Sequence, residues 1–239
     1  MRNLRIIVPV KDAVESALQT LEAIKPATEF LICEVMVYND FSTPENTARL
    51  EEACRRLDFT LVNISELTDH PSPNYLLVLQ HEQKICREQG NTGLIIVESD
   101  VIVQPDTLVN LKAETGARPD AGIVAAVTVD EKGKINYPYL YARRKKGRNL
   151  DTRRHLSFCC SLLTPLLLQK VDFQTLNSEK DWFDVTISHL SLEAGLHNWL
   201  LCTLPVVHKP HQSRPWKQLK YKNPLKYYWR KLTKGFDKI

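Results

Sequence analysis

The chain has 239 residues, 43% hydrophobic and 25% charged, proportions that exclude a disordered or fibrous protein and leave an ordinary globular one. Its formal net charge of +4 is unevenly spread: residues 209–239 hold ten Lys or Arg against one acid, Asp237, while the first 208 carry 22 basic and 27 acidic residues. No stretch approaches the ~20 apolar residues that cross a bilayer, Ile6–Val10 is too short for a secretory segment, and six cysteines without metal spacing fit reduced thiols in a cytosolic setting. Leu4 to Val10 reads as a first buried strand, followed by helical spacing from Ala13 to Ile24 with Pro26 as its stop. Phe30 to Tyr38 reads as a second strand. The helix Glu45–Leu57 follows, with Thr43 placed to cap it and Pro44 in its first turn. A third strand, Phe59–Ile64, a loop from Thr68 to Asn74 and a helix from Tyr75 to Gln89 lead to a fourth strand at Leu94. This β-α-β-α-β-α-β order predicts a parallel, doubly wound α/β sheet.

Beyond it, Pro105–Thr115 reads as a short helix and Gly122–Val129 as a strand, with Ile135–Tyr141 as its hairpin partner. Arg143–Arg154 is a basic loop with seven Lys or Arg, and Leu156–Leu168 is apolar. A helix runs to Glu193, with Phe183, Ile187, Leu190 and Ala194 on one face and Gly195 after it. The last strand is Trp199–Val207, ending at His208.

The run Gly93–Val97 is too apolar to alternate and reads as a strand buried on both faces. It stops at Glu98-Ser99-Asp100. Two carboxylates one residue apart point the same way on an extended strand, at the carboxyl end where open α/β sheets bind ligands. Such hard oxygen ligands suit Mg²⁺ or Mn²⁺. A solvated strand end is the plainer alternative.

Four landmarks in order resemble the family 2 glycosyltransferases, inverting enzymes of GT-A fold. Ile6-Ile7-Val8-Pro9-Val10-Lys11-Asp12 resembles their opening strand and nucleotide turn. Val37-Tyr38-Asn39-Asp40-Phe41-Ser42-Thr43 resembles their second motif, with Asn39 and Phe41 in place of an acid and a glycine. Glu98-Ser99-Asp100 stands where the family has an aspartate-x-aspartate metal motif. Lys180-Asp181-Trp182-Phe183-Asp184 resembles the acidic opening of the acceptor-side helix. The resemblance implies a GT-A domain over residues 1–208, divided into a nucleotide-sugar half (1–104) and an acceptor half (105–208). It implies transfer from a nucleotide-sugar donor, UDP-linked, to a glycan or lipid-linked acceptor in bacterial cell-surface polysaccharide synthesis, with Mn²⁺ or Mg²⁺ as cofactor.

Carried onto this sequence, Pro9, Val10, Lys11, Asp40, Glu98 and Ser99 would contact the donor. Asp40 holds the ribose or uracil, or else caps a helix or an Asx-turn. Asp100 ligates the metal directly. Glu98 contacts sugar or ribose, or reaches the metal through water, and His208 adds a further ligand or is an ordinary solvent-facing imidazole. Asp181 is the base that takes the acceptor proton. Asp184, three residues on and nearly on the same helical face, is the alternative. Trp182 stacks on an acceptor sugar or fills the core.

The tail, 209–239, mixes cations with aromatics. From Pro224 a helix would gather Leu225, Tyr228, Trp229, Leu232 and Phe236 on one side, with Arg230 and Lys231 among the cations around the rest. Trp216, Tyr228, Trp229, Arg230 and Lys231 are thus candidates for contact with an anionic inner-leaflet surface, which places the protein in the cytoplasm against the cell membrane. Packing onto the acidic body is the plainer reading, and nucleic acid is not expected as a partner. Two other functions compete: a catalytically silent GT-A module that binds a membrane or partner enzyme, and a nucleotidyltransferase. The latter needs a glycine-rich loop after the first strand, and Pro9–Val14 has no glycine.

Overall fold

The computed structural model describes residues 4–145, 147–179, 182–209 and 224–234. Its first half follows the expected alternation: β1 (Leu4–Val10), α1 (Val14–Ala27), β2 (Cys33–Asn39), α2 (Pro44–Leu57), β3 (Thr60–Asn63), α3 (Tyr75–Glu88) and β4 (Gly93–Val97). Then come β5 (Val101–Ile102), α4 (Thr107–Ala117), β6 (Ala121–Val129), β7 (Leu150–Asp151), β8 (Cys160–Leu163), α5 (Pro165–Lys170), α6 (Phe183–Glu193), β9 (His197–His208) and α7 (Pro224–Lys234).

One mixed sheet runs in the order β3-β2-β1-β4-β8-β6-β9-β5, with β7 paired to β9. The strands β3, β2, β1 and β4 are parallel, as are β6 and β9, while β8 enters antiparallel between β4 and β6. Alternate residues of β1 feed two core layers. Leu4, Ile6, Val8 and Val10 pack with α1, α2 and α4, whereas Ile7 packs with α3, α5 and α6. Every residue of β4 is buried, as its unbroken apolar run requires, and the strand lies between β1 and β8 in mid-sheet.

Local chemistry sets the element ends. Thr43 Oγ1 accepts the Asn46 N–H at 3.3 Å and Pro44 opens α2, as the sequence indicates. Several expectations are corrected. The second strand starts at Cys33 rather than Phe30, because Phe30 and Ile32 are 81% and 67% exposed in the turn after α1. Pro26 lies inside the last turn of α1, which continues one residue beyond it.

The hairpin expected at Ile135–Tyr141 is reduced to a single bridge, Val129 to Ile135. Both edges of β6 are already paired, to β8 and β9, and Pro138 has no N–H to give a ladder. The chain turns instead into a 3₁₀ segment, Leu140–Lys145. The short strands β5, β7 and β8 were not foreseen. Among the described residues no helix is long and apolar enough to cross a membrane.

Candidate active site

The carboxyl ends of β1 and β2 are tied together by their turns. Lys11 Nζ donates to Phe41 O (2.6 Å), the Asp12 N–H to Ser42 Oγ (3.0 Å), and the Thr43 N–H to Asp12 Oδ1 (2.9 Å). That last bond, more than any other influence, lowers the Asp12 pKa. Phe41 has φ +56°, a left-handed conformation that glycine adopts without cost. Phe41 thus takes a glycine-like conformation at the position where the sequence resemblance has a glycine. Pro9 is half-buried, Val10 buried and Lys11 exposed.

Asn39, where the family has an acid, is buried. It donates to Thr47 Oγ1 and Asn63 Oδ1, both at 2.9 Å, and accepts the Ser42 N–H at 3.2 Å. Asp40 does not cap α2. Its carboxylate braces the loop before α3, accepting from Ser72 Oγ (2.6 Å), the Asn74 N–H (3.1 Å) and Asn74 Nδ2 (2.9 Å).

At the end of β4 the backbone leaves the sheet. The Glu98 N–H still donates to Cys159 O (2.9 Å), but Val101 N–H returns to Glu98 O (3.1 Å), so residues 98–100 form a turn rather than a pleated strand. The strand alternation expected for Glu98 and Asp100 is therefore replaced by a turn, yet the two acids still share His208 as a neighbour. Glu98 Oε2 meets Cys159 Sγ at 3.2 Å, and Asp100 Oδ2 lies 3.5 Å from His208 Nε2. Ser99 and Asp100 are buried and Glu98 half-buried.

Strand β9 delivers His208. Its pairing with β6 slips between Ala126–Leu201 and Val127–Pro205, and beyond the slip it pairs antiparallel with β5, Val101 opposite His208. The Lys209 N–H donates to Asp100 O at 2.8 Å, locking the strand end to the acidic turn. His208 is buried, with Nδ1 3.3 Å from Tyr137 O. One ligand atom from each of Glu98, Cys159 and His208 lies within 4.8 Å of the others. Sequence reasoning missed Cys159: an adjacent cysteine pair carries no metal spacing, and only the β4–β8 register, Val97 opposite Cys160, brings it to Glu98.

Around this group stand two tyrosines. Tyr139 Oη donates to Ser157 O (3.2 Å) and accepts the Ser157 N–H (2.9 Å), fixing the approach to Cys159. Tyr75, at the first turn of α3, has a buried hydroxyl with no hydrogen-bond partner among the described residues. Its pKa is raised by burial first and then by the charges of Glu98 and Asp184. The field of Asp184 thus reaches the same space as Glu98. Asp184 Oδ1 accepts the Val185 N–H (2.9 Å) at the start of α6. Trp182 is half-buried just before that helix, its carbonyl accepting the Thr186 N–H at 3.1 Å. Asp181 lies outside the described residues.

No protein-family model matches the chain, and no curated protein matches it in sequence. Solved structures match its fold. The mannosyltransferase PcManGT from Pyrobaculum calidifontis, in complex with GDP-Man and Mn²⁺, superposes with a TM-score of 0.67 at 15% identity over 97% of this chain and 64% of its own. S. aureus TarS 1–349 in complex with UDP-GlcNAc gives 0.62 at 16% identity over 90% and 60%. The fold is therefore that of the GT-A glycosyltransferases, with a mixed, mostly parallel curled sheet. The chain spans about three fifths of the length of these structures.

Proposed function

We propose that the chain is a metal-dependent, inverting glycosyltransferase of the family 2 type. It moves a sugar from a nucleotide donor, UDP-linked on the sequence resemblance, to a glycan or lipid-linked acceptor in bacterial cell-surface polysaccharide assembly. The observation that carries this reading is the convergence of Glu98, Cys159 and His208, with Asp100 against His208, where the central strand of a GT-A sheet ends. The donor set fits a divalent ion: a carboxylate, a thiol and an imidazole come within 4.8 Å of one another. Asp100 would hold it directly, with His208 as a further ligand and Glu98 beside it or reaching it through water. An ion held there would supply positive charge against the diphosphate leaving group.

The chain's own residues supply the rest. Pro9, Val10 and Lys11 flank the nucleoside beside Asp40, and Ser99 lies against the diphosphate side. The acceptor hydroxyl attacks the anomeric carbon in line and gives its proton to Asp181, or alternatively Asp184, as the bond to the diphosphate breaks on the opposite face. Trp182 stacks on the acceptor. Residues 1–208 form the transferase unit, and the 209–239 tail holds it at an anionic inner-leaflet surface.

A second reading, a silent GT-A module, is favoured by Asn39 and Asp40, whose side chains are committed to bonds within the protein. Measuring UDP or GDP release from a panel of UDP-sugars and GDP-mannose with Mn²⁺ separates the two. Turnover that falls roughly 10–100-fold in Asp100→Ala is the expected result. No release with any donor, and no metal-dependent nucleotide binding, would leave the silent module.

A further inference from the structure

Nothing in the sequence singles out Cys159, yet no other described thiol is tied so closely to the acidic turn. It is 3% exposed, and its carbonyl takes the Glu98 N–H while its Sγ meets Glu98 Oε2, so one residue is tied to Glu98 through both backbone and side chain. The Ser157 hydroxyl accepts the Cys159 N–H (3.4 Å) and lies 3.2 Å from Sγ, positioned to donate to a sulfur that carries charge. His208 completes the group. Tyr137 O can only accept, so Nδ1 is the donor there and Nε2 keeps its lone pair for the site.

Around a tetrahedral ion with bonds of about 2.0 Å to oxygen or nitrogen and about 2.3 Å to sulfur, ligand atoms stand roughly 3.5 Å apart. The 3.2 Å separation of Sγ and Oε2 is close to that spacing, and all three ligand atoms lie within 4.8 Å of one another. Tyr137 O orients the ring through Nδ1, while Asp100 Oδ2 lies 3.5 Å from Nε2 itself, on the side where an ion would sit.

We propose that Cys159 is a metal ligand, adding a thiol to the Glu98, Asp100 and His208 group and suiting the site to a borderline ion such as Zn²⁺ or Co²⁺ rather than to Mg²⁺. This rests on the reading above that the site takes a divalent ion, and it names the ion's class. A thiolate is a soft donor that Mg²⁺ does not favour, and all-oxygen sites are the ones that hold Mg²⁺. As the ion binds, the Cys159 S–H proton leaves to solvent and the sulfur–metal bond takes its place.

The test uses the full chain, stripped of metal by a chelator and titrated with Co²⁺, Zn²⁺ and Mg²⁺. Bound Co²⁺ is expected to show an intense near-ultraviolet thiolate-to-cobalt charge-transfer band, kept in Cys160→Ser and lost in Cys159→Ser. Zn²⁺ affinity in Cys159→Ser should fall by at least the roughly 10–100-fold that loss of an outer-shell partner costs. Should Cys159→Ser not fold, the X-ray absorption spectrum of the Zn²⁺-loaded unsubstituted chain must show a zinc–sulfur bond of about 2.3 Å. Co²⁺ bound without the band, a band that survives in Cys159→Ser, or Zn²⁺ bound without a sulfur neighbour overturns the assignment. UDP binding by calorimetry in the same preparation reads the donor hypothesis separately. Nucleotide binding without the band rejects Cys159 alone, whereas the band without nucleotide binding keeps the metal site and rejects the transferase.

Discussion

At His208 a backbone carbonyl decides the tautomer. With Nδ1–H committed to Tyr137 O, a neutral ring would set the Nε2 lone pair against the Asp100 carboxylate, 3.5 Å away. Nε2 therefore requires a cation, either its own proton or a metal ion. Burial alone would lower the His208 pKa, but the hydrogen bond and charge of Asp100, with the charge of Glu98, outweigh it and raise the value. Asp100 and His208 were legible in the sequence because each closes an apolar run at a strand end. Cys159 was not, because its role depends on the register of a four-residue strand. The acceptor base belongs to this scale too. Asp181→Asn should lower kcat by about 10²–10⁴ with KM for the donor little changed, and Asp184→Asn should do so only if Asp184 takes the proton. Steady-state kinetics on both variants assigns the base, and near-normal kcat in both would remove general-base catalysis from this segment.

Between elements, the strongest polar link is buried under β1. Arg5 of β1 is 4% exposed and forms a two-bond fork with Glu82 of α3, at 2.5 and 2.9 Å, and also pairs with Glu34 of β2. Glu82 is fully buried and accepts the Tyr38 hydroxyl as well. Burial opposes the Arg5 charge, yet the bonds and charges of Glu82 and Glu34 more than offset it and raise the pKa. Glu82→Ala should cost about 3–5 kcal/mol in chemical denaturation, because it strands a buried guanidinium, whereas Arg5→Met with Glu82→Leu should recover most of that loss. A cost below about 1 kcal/mol for the single variant would mean that water already reaches the pair. The parallel half was readable because each strand feeds a helix of clear period. The second half was not: β5, β7 and β8 are two to four residues long, below the length at which alternation shows, and their place is set by β4, β6 and β9. Asn39 likewise looked like a weakened motif, whereas it holds β2, β3 and α2 together through three hydrogen bonds.

Across the whole molecule, net positive charge is concentrated at one end of the chain, where exposed apolar side chains also lie. The mildly acidic first 208 residues precede a tail with ten cations and one acid. Within that tail α7 exposes Leu225 (85%), Tyr228 (53%) and Trp229 (70%), spaced three and four residues apart on one face, while Tyr227 is buried. Trp216 lies outside the described residues, and the side chains of Arg230 and Lys231 are likewise not described. An aromatic face turned outward on a cationic helix suits the boundary between headgroups and acyl chains, and each cation near an anionic surface contributes about 1 kcal/mol. Such binding must weaken with salt, because the charge contribution is screened beyond about 10 Å at 0.1 M. Flotation of the full chain should therefore be strong on vesicles containing phosphatidylserine or phosphatidylglycerol, weak on phosphatidylcholine, and reduced in Leu225→Glu with Trp229→Glu. If the double variant floats as well as the unsubstituted chain, or neutral vesicles capture both equally, α7 is not a membrane contact. The tail's charge would then have to be answered by the acidic body instead.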